Sequence, residues 1–350
     1  MTDLPTGIEP QSTSGASLLA SLRRAGGTAL GAVLGTVLRL ADGPMRLLQR
    51  LIGERRMAYV FLLPNLAFFS LFVFVPLAID LVYSFTGGES LFPSQRPYVG
   101  TDQYAYLFDC GSFLDPASCR VDHFWRGVAN TLRFTVFQLV SMVTFSLVTA
   151  LVLNMRMRGR GFFRAVYFFP VLLSPVVVAL VWKWILQRDG LLNAGLTTIG
   201  GQKILFFVDP GWAMFWSVFV SVWAHMGFYT LILLAGLQAI PADLYEASQM
   251  DATPRWRVFW RITLPLLWPN LIVVIVLALI RGVQTFDEVF VLTGGGPGTA
   301  TEVLSFTLYQ RLFTEDRAGY GSAMAVAIIF LCSLLLIMAG SVRRRSATVA

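Results

Sequence analysis

A short polar segment between two long apolar runs decides the fold of this chain. It reads Tyr245-Glu246-Ala247-Ser248-Gln249-Met250-Asp251-Ala252 and is followed by Ile262-Thr263-Leu264-Pro265. Proline brackets the stretch at Pro241 and Pro265. A connection between two packed helices needs only a few residues to turn. A helix-prone element in this place therefore indicates a docking surface for something outside the membrane.

The composition of the chain is that of an integral membrane protein. Of its 350 residues, 56% are hydrophobic and only 13% are charged, whereas soluble domains average about 25% charged residues. The apolar residues are gathered into long runs rather than spread at core spacing. The net charge of +7 could suggest nucleic-acid binding, but the arginines flank the apolar runs, as they do in membrane proteins. We therefore expect a lipid environment and no nucleic acid.

Six apolar segments are long enough to cross a hydrocarbon core of about 30 Å, which takes about 20 helical residues. They lie near residues 58–85, 128–154, 163–185, 212–238, 266–290 and 320–341. The fold class is therefore all-α integral membrane, because open strands would leave backbone groups unpaired in lipid. Prolines interrupt the first span (Pro64, Pro76) and the third (Pro170, Pro175), and we expect ordinary kinks there.

Arginine-rich segments predict the orientation, because cytoplasmic loops carry the excess of positive charge. Basic clusters stand before the first span, between spans two and three, between spans four and five, and at Arg343-Arg344-Arg345. Six spans with both termini in the cytoplasm put all four clusters on the cytoplasmic side of the membrane. The same orientation puts Cys110 and Cys119 outside, where they could form a disulfide or stay free.

The chain divides into four parts. Residues 1–15 are polar and predicted to be a disordered tail. Residues 16–56 contain glycines at four-residue spacing but no uncharged run long enough to span. They predict a cytoplasmic, interfacial amphipathic segment, with a further membrane helix as the alternative. Residues 57–343 form the transmembrane domain, including the loop 241–265, and residues 344–350 are a C-terminal tail.

Span five carries polar residues at helical spacing. They fall at i, i+3, i+4 and i+7, on one helix face, and are Arg281, Gln284, Thr285 and Glu288. Polar groups at membrane depth are costly and usually face a cavity or a partner. This stripe could line a path for a neutral, hydroxyl-rich solute. Alternatively, Arg281 and Glu288 could pair with neighbouring helices for structure alone.

Span four repeats the pattern more weakly, with Ser221, His225 and Phe228 on one face. A ring nitrogen of His225 could donate to a solute hydroxyl, or it could bond a backbone carbonyl on another helix. The aromatic ring of Phe228 suits the apolar face of a sugar ring. We expect the neighbouring Trp223 and Tyr229, which lie off this face, to serve in packing.

The chain lacks the usual signals of an enzyme. It has no phosphate loop of the form G-x-x-x-x-G-K-[ST] and no nucleophile elbow. Its two histidines, His123 and His225, are far apart in the sequence, so no metal site is predicted. We expect no cofactor on this chain and no catalytic activity of the chain alone.

The loop after span four predicts two short helices between Ala242 and Arg261. A turn is expected near Thr253 and Pro254, because the residue before proline avoids helical geometry. Glu246 is placed in the first turn, where the helix dipole favours a carboxylate. The small side chains of Ala247 and Ser248 would let another surface approach closely.

This loop resembles the EAA loop of binding-protein-dependent ABC transporter permeases. The family pattern is Glu-Ala-Ala, three residues, Gly, nine residues, Ile, one residue and Leu-Pro, and its spacing matches throughout. Two residues depart from it, Ser248 in place of the third-position alanine and Ala252 in place of glycine. The turn at Ala252 is therefore expected to be less sharp. Gly236-Leu237-Gln238-Ala239-Ile240-Pro241 and Leu292-Thr293-Gly294-Gly295-Gly296-Pro297 are similar to the carbohydrate-uptake branch. The long first span with Pro64 resembles the larger permease of the maltose system.

The resemblance implies a type I ABC importer permease fold and a set of partners. These are a second permease subunit, two cytoplasmic ATPases that hold ATP and Mg, and an external solute-binding protein. It implies that the loop is a coupling helix, whose contacts with the ATPase come from Glu246, Ala247, Ser248, Asp251 and Ala252. It also implies solute contacts on spans four and five.

Two other functions compete with the permease of an ATP-driven carbohydrate importer. A stand-alone, ion-coupled secondary transporter could use Arg281, Asp287 and Glu288 as a relay, but it leaves the helix at 242–261 without a purpose. A non-transporting membrane scaffold would leave the polar stripes on spans four and five without a purpose. The residues do not identify the sugar or the partner subunits.

Overall fold

The computed structural model describes residues 53–88, 90, 92–113, 115–155, 158–314, 319, 321–330 and 333. Within these ranges the regular structure is helical, with two isolated β-bridges. The chain forms two compact units, residues 1–77 and 78–350. The predictions for residues 1–15, for nearly all of 16–56 and for 344–350 lie outside the described residues.

Helix α1 (Glu54–Phe69) contains Pro64 and runs through a π-helical turn (Ser70–Phe74) into α2 (Val75–Ser84), which extends past residue 77, the last of the first unit. Residues Phe61–Ser84 of this continuous helix are long and apolar enough to span a membrane. Side chains such as Phe61 and Phe72 are each 61% exposed. The first predicted span is therefore confirmed within three residues at its start and one at its end.

The second unit contains the remaining helices. They are α3 (Asp102–Leu107), α4 (Asp122–Asn154), α5 (Arg160–Phe168), α6 (Pro175–Leu186), α7 (Leu191–Thr198), α8 (Pro210–Ala239), α9 (Ala242–Met250), α10 (Arg255–Val258), α11 (Leu264–Val283), α12 (Asp287–Leu292), α13 (Leu304–Tyr309) and α14 (Gly321–Phe330). Helix α4, helix α8 and the run Arg255–Val283 are each long and apolar enough to span. The sixth predicted span, 320–341, is described only at its start, by α14.

The third predicted span is broken rather than kinked. Residues Arg160–Leu172 and Pro175–Thr198 form two arms bent by 100°. The break falls at Leu173 and Ser174, whose ψ angles of 147° and 133° are extended. The Pro175 ring excludes its preceding residue from helical geometry, so an ordinary kink was the wrong expectation at this proline.

The fifth predicted span, 266–290, ends early. Helix α11 stops at Val283, and a new short helix, α12, begins at Asp287. The four-residue polar stripe therefore does not lie on one continuous helix, and that part of the prediction was wrong.

Helices α4, α8 and α11 pack together around the core of the second unit. Its buried side chains include Phe134 and Met142 of α4, Leu233 of α8 and Leu267 of α11. Because lipid tails are as apolar as leucine, helices associate in membranes by close packing rather than by the hydrophobic effect. Gly236 illustrates this, since a Cβ there would lie 2.6 Å from Cγ of Asn270.

Candidate functional site

The loop between spans four and five is folded as predicted, into two short helices separated by a turn. Pro241 is extended and precedes α9, and Pro254, also extended, precedes α10. A π-helical turn, Phe259–Thr263, then leads into α11. One feature differs from expectation: the first helical turn holds Asp243, and Glu246 lies one turn later.

Helix α9 ends in a tight left-handed turn at Ala252. The φ angle of Ala252 is 50°, a conformation that glycine adopts most easily. The Ala252 N–H donates to the Gln249 carbonyl and the Thr253 N–H to the Ser248 carbonyl, both at 3.0 Å. This is the Schellman pattern of helix termination. The expectation of a less sharp turn at Ala252 is therefore wrong, because both hydrogen bonds of the turn form with alanine in the glycine position.

One face of α9 is anchored to the protein. Ser248 is only 8% exposed, and its Oγ donates to the Tyr245 carbonyl at 2.7 Å. The Tyr245 hydroxyl lies 3.1 Å from Oγ1 of Thr263, at the start of the fifth span. Ser248 is therefore turned inward, which corrects the expectation that it lets another surface approach.

The opposite face of α9 is exposed. Glu246, Ala247, Asp251 and Ala252 are all exposed. Met250 is 88% exposed and stands four residues after Glu246, on the same helix face. Met250 was not among the residues predicted from the sequence, although its i+4 spacing from Glu246 was a usable signal. An apolar side chain beside a carboxylate makes this face suited to a protein partner.

The second group of candidate residues lies around the break after α11. Nη2 of Arg281 is 3.0 Å from Oε1 of Glu288, and Oγ1 of Thr285 donates to Oε2 of Glu288 at 3.3 Å. The Glu288 side chain is 1% exposed. Arg281 and Glu288 thus pair with each other across the break.

His225 brings span four to the same carboxylate. Its Nδ1 is 2.9 Å from the Ser221 carbonyl and 3.9 Å from Oε1 of Glu288. A carbonyl oxygen only accepts, so Nδ1 carries the proton and Nε2 remains for another partner. The Ser221 carbonyl lies one turn earlier on the same helix. The expected alternative, a bond from His225 to a carbonyl on another helix, is therefore wrong.

We call His225, Arg281, Thr285 and Glu288 the polar cluster. Apart from the bond between the Ser221 carbonyl and His225, the other candidates lie near the cluster in the sequence without a side-chain bond to it in the described part of the chain. The Ser221 hydroxyl is buried without a hydrogen-bond partner among the described residues. Phe228 is 46% exposed and contacts the Tyr229 ring, with centroids 5.6 Å apart. Gln284 is exposed.

Two of the aromatic expectations on α8 are borne out. Trp223 packs against the ring of Trp182, with centroids 5.6 Å apart. Tyr229 is 5% exposed within the main core. Both side chains therefore serve in packing.

Helix α4 carries a polar stripe that the sequence analysis did not identify. Thr135 and Gln138 are 4% and 0% exposed, and the Thr135 hydroxyl and the Gln138 amide have no partner in the described part of the chain. Both pack on Gly282, where a Cβ would lie 3.0 Å from Oε1 of Gln138. With Thr131 they fall at i, i+4 and i+7, a spacing readable in the second span. Buried polar groups of this kind usually have a partner, so this stripe extends the polar region toward α4.

The same helix fixes the glycine-rich loop that follows α12. Nδ2 of Asn130 donates to the Thr299 carbonyl at 2.7 Å, and the Leu304 N–H donates to the Thr131 hydroxyl at 2.9 Å. Nδ1 of His123 lies 3.0 Å from Oε2 of Glu302. These contacts tie the loop to α4 at the end where the Cys110–Cys119 pair lies, which the structure joins as a disulfide.

Comparison with known proteins identifies the family. Residues 142–347 match the family described as binding-protein-dependent transport system inner membrane component. The probable ABC transporter permease protein YurN of Bacillus subtilis (strain 168) is 34% identical over 285 residues, covering 80% of this chain and 93% of YurN. The trehalose/maltose transport system permease protein MalF of Thermococcus litoralis is 33% identical over 295 residues, covering 83% and 96%.

Solved structures agree with this family. A crystal structure of a bacterial ABC transporter that imports the acidic polysaccharide alginate contains a similar chain, with a TM-score of 0.73 and 25% identity over 85% of this chain and 98% of the other. A second crystal structure holds the alginate transporter in complex with its pentasaccharide-bound periplasmic protein, with a TM-score of 0.71, 25% identity and coverage of 85% and 97%. This chain therefore belongs to the inner membrane components of binding-protein-dependent transport systems, as a permease subunit with the type I ABC importer fold.

Proposed function

We propose that this chain is one permease subunit of an ATP-driven importer for a sugar or related polyol-type solute. Relatives named for trehalose/maltose and for alginate support a carbohydrate. The observation that carries the proposal is the folded loop between spans four and five, with Glu246 and Met250 exposed on one face and the opposite face anchored.

The anchored face suggests how force reaches the membrane. The Tyr245 hydroxyl joins α9 to Thr263, the residue before α11, whereas the Ser248 hydroxyl bonds within α9 to the Tyr245 carbonyl. The partners would be two cytoplasmic ATPases, which hold ATP and Mg. They would contact Glu246 and Met250, and closure of the ATPase dimer would move α9. Because the contact between Tyr245 and Thr263 links α9 to the run Arg255–Val283, that run would move with α9.

The polar cluster stands at the far end of that run. Arg281 is two residues before its last residue, Val283, and reaches Glu288 beyond the break. Movement of the run would therefore act on the ion pair and on His225 of α8. A neutral sugar offers hydroxyls that both donate and accept, so it could exchange hydrogen bonds with such a cluster without leaving a charge unpaired.

The solute path in this proposal combines the polar cluster with the residues around it. Phe228 offers an exposed ring for the apolar face of a sugar. Gln284 offers an exposed amide and Ser221 a hydroxyl with no described partner. Phe228 and Ser221 come from α8 and Gln284 from the break itself, so the proposed path lies between these two parts of the chain.

The chain has a defined orientation in the membrane and defined partner proteins in this proposal. Both termini face the cytoplasm of a bacterial inner membrane, a second permease completes the path, and an external solute-binding protein delivers the sugar. The Cys110–Cys119 disulfide agrees with an oxidising external side. In this orientation α9 meets the ATPases and the glycine-rich loop meets the outside.

Reconstitution of the whole complex tests this function. Uptake of a sugar into vesicles should require ATP, the ATPase subunits and the sugar-loaded binding protein together. Uptake by this chain alone, driven by an ion gradient, would instead make it a secondary transporter and refute the proposal.

A further inference from the structure

A long apolar groove runs along the surface between α4 and α8. Its volume is about 780 Å³, and its lining includes Phe137, Phe145, Phe215 and Val222. Along α8 the groove extends from Gly211 to Met226, about 22 Å at 1.5 Å per helical residue. That length exceeds half of a ~30 Å hydrocarbon core, so the groove is long enough for one fatty acyl chain.

A second, polar cavity continues the groove at one end. It has a volume of about 490 Å³, and its lining includes Arg126, Arg133 and Asp115. Three residues line both cavities, namely Phe137, Gly211 and Met214. The two cavities therefore form one site, polar at the N-terminal ends of α4 and α8 and apolar toward the middle of the membrane.

The charges in the polar cavity leave one arginine available. Nε of Arg126 is 3.3 Å from the Asp122 carboxylate, and the Asp115 side chain accepts from the Ala117 N–H at 3.1 Å. Arg133 is exposed and forms no ion pair with any residue in the described ranges. It is thus the guanidinium on which an anionic ligand would bind.

The position of Arg133 along α4 places its guanidinium close to the lipid phosphates. Helix α4 has 33 residues and is about 50 Å long, so a centred helix projects about 10 Å beyond each side of the hydrocarbon core. Arg133 then lies about 7 Å inside the boundary. A helical side chain points toward the N-terminus, so the guanidinium reaches back to the interface, where lipid phosphates lie.

We infer that the groove and the arginine cavity together bind one glycerophospholipid. An acyl chain lies in the groove between α4 and α8, and the phosphate is bound by Arg133. A helix of the partner permease would also suit the apolar groove, but it would leave Arg133 without an anion. A sugar would suit the polar cavity but not the aromatic and aliphatic walls of the groove.

Photolabelling of the complete transporter tests this site. The complex is reconstituted in phosphatidylethanolamine–phosphatidylglycerol vesicles with a trace of phosphatidylglycerol carrying a photoreactive acyl chain. A parallel sample receives photoreactive diacylglycerol, which lacks the phosphate. Labelled peptides are located by mass spectrometry. We expect the phosphatidylglycerol probe, far more than diacylglycerol, to label the α4 and α8 peptides that line the groove.

Three variants distinguish the parts of the site. Arg133→Ala, or Arg133→Gln, should lower groove labelling by the phosphatidylglycerol probe about fivefold, the effect of one interfacial charge. The diacylglycerol signal should not change. Ser141→Trp fills the groove, whose lining includes Ser141, and should lower labelling by both probes. Arg188→Ala, at an exposed arginine outside the site, is the matched control and should change neither.

Three results would overturn the inference. They are equal labelling of the groove by the two probes in the unaltered complex, no effect of Arg133→Ala on the phosphatidylglycerol signal, and cross-linking of the groove peptides to the partner permease in place of lipid. The comparison of the two probes in the unaltered complex needs no variant. It therefore tests phospholipid binding even if an altered complex fails to assemble. The last result would assign the groove to the interface between the two permeases.

Discussion

Nη2 of Arg281 lies 3.0 Å from Oε1 of Glu288, although a break in the helix separates the two residues. In a continuous helix, residues seven apart are about 10.5 Å apart along the axis. The break at 284–286 lies between the two residues, and their side chains meet across it. The ion pair and the break therefore belong together, and a movement that changes one must change the other.

Removal of Arg281 alone should destabilise the protein more than removal of both charges. In Arg281→Met, the Glu288 carboxylate stays 1% exposed without its partner, which costs about 3–5 kcal/mol for a buried pair. Adding Glu288→Gln removes the buried charge and keeps an acceptor for Thr285. Thermal unfolding of the solubilised complex should give a lower Tm for the single variant than for the double variant. Equal melting temperatures would mean that the pair is solvated and contributes little.

The solute path predicts a transport defect without an assembly defect. His225→Ala combined with Gln284→Ala removes two groups that could bond a sugar. A neutral hydrogen bond contributes about 0.5–1.5 kcal/mol, so uptake at low sugar concentration should fall about fivefold to a hundredfold. Co-purification of the ATPases should be unchanged.

A serine on the same helix provides the control for that experiment. The Ser217 hydroxyl is buried and donates to the Ala213 carbonyl at 2.8 Å, one turn before Ser221. Ser217→Ala should leave uptake near the unaltered level. If the His225–Gln284 variant instead loses its ATPases, the two residues are structural and the proposed path is wrong.

Most of the spans could be predicted because lipid leaves the backbone few choices. A long uncharged run must be helical when no water can bond its peptide groups. The second and fourth predicted spans, 128–154 and 212–238, accordingly lie inside α4 (Asp122–Asn154) and α8 (Pro210–Ala239). Pro241 and Pro254 likewise marked the starts of α9 and α10, because proline acts on its immediate neighbours.

The break at 284–286 could not be predicted from its own residues, which include no proline or glycine. The freed carbonyl of Thr285 accepts a hydrogen bond from the Ser305 hydroxyl, twenty residues further along the chain. Glu288 meets His225 of another helix. Such partners come from the tertiary structure, which a local periodicity does not contain. The burial of Ser248 and the contact between Tyr245 and Thr263 likewise belong to the tertiary structure.

The left-handed turn at Ala252 predicts opposite effects of glycine at two nearby alanines. A left-handed conformation costs an L-residue about 1–2 kcal/mol, so Ala252→Gly should stabilise the turn. Ala247 lies inside α9 and is exposed, where glycine costs about 0.8–1.0 kcal/mol. Amide hydrogen exchange across residues 242–254 should become slower in Ala252→Gly and faster in Ala247→Gly. The same direction of change in both variants would contradict a strained turn.

The exposed face of α9 predicts uncoupling by substitutions that leave the fold intact. Glu246→Lys reverses the charge offered to the ATPases, and Met250→Asp places a charge where an 88% exposed apolar side chain would be buried by the partner. Both should abolish sugar-stimulated ATP hydrolysis in the reconstituted complex. Asp189→Lys makes the same charge reversal at an exposed residue in a loop predicted to be external and should preserve coupling. Full coupling in Glu246→Lys would remove α9 from the proposed docking surface.

The disulfide predicts both a local stability change and the orientation of the chain. Cys110 and Cys119 are nine residues apart, and closing a loop of that size stabilises by about 2–3 kcal/mol in the chain-entropy description. Reduction, or Cys110→Ser with Cys119→Ser, should therefore increase proteolysis of the loop before α4.

After reduction, a membrane-impermeant maleimide should label this loop in right-side-out vesicles. The double variant keeps Cys332 as its one remaining cysteine and reports the background. If labelling required inside-out vesicles, the loop would face the cytoplasm, and α9 could not reach the ATPases from the opposite side of the membrane.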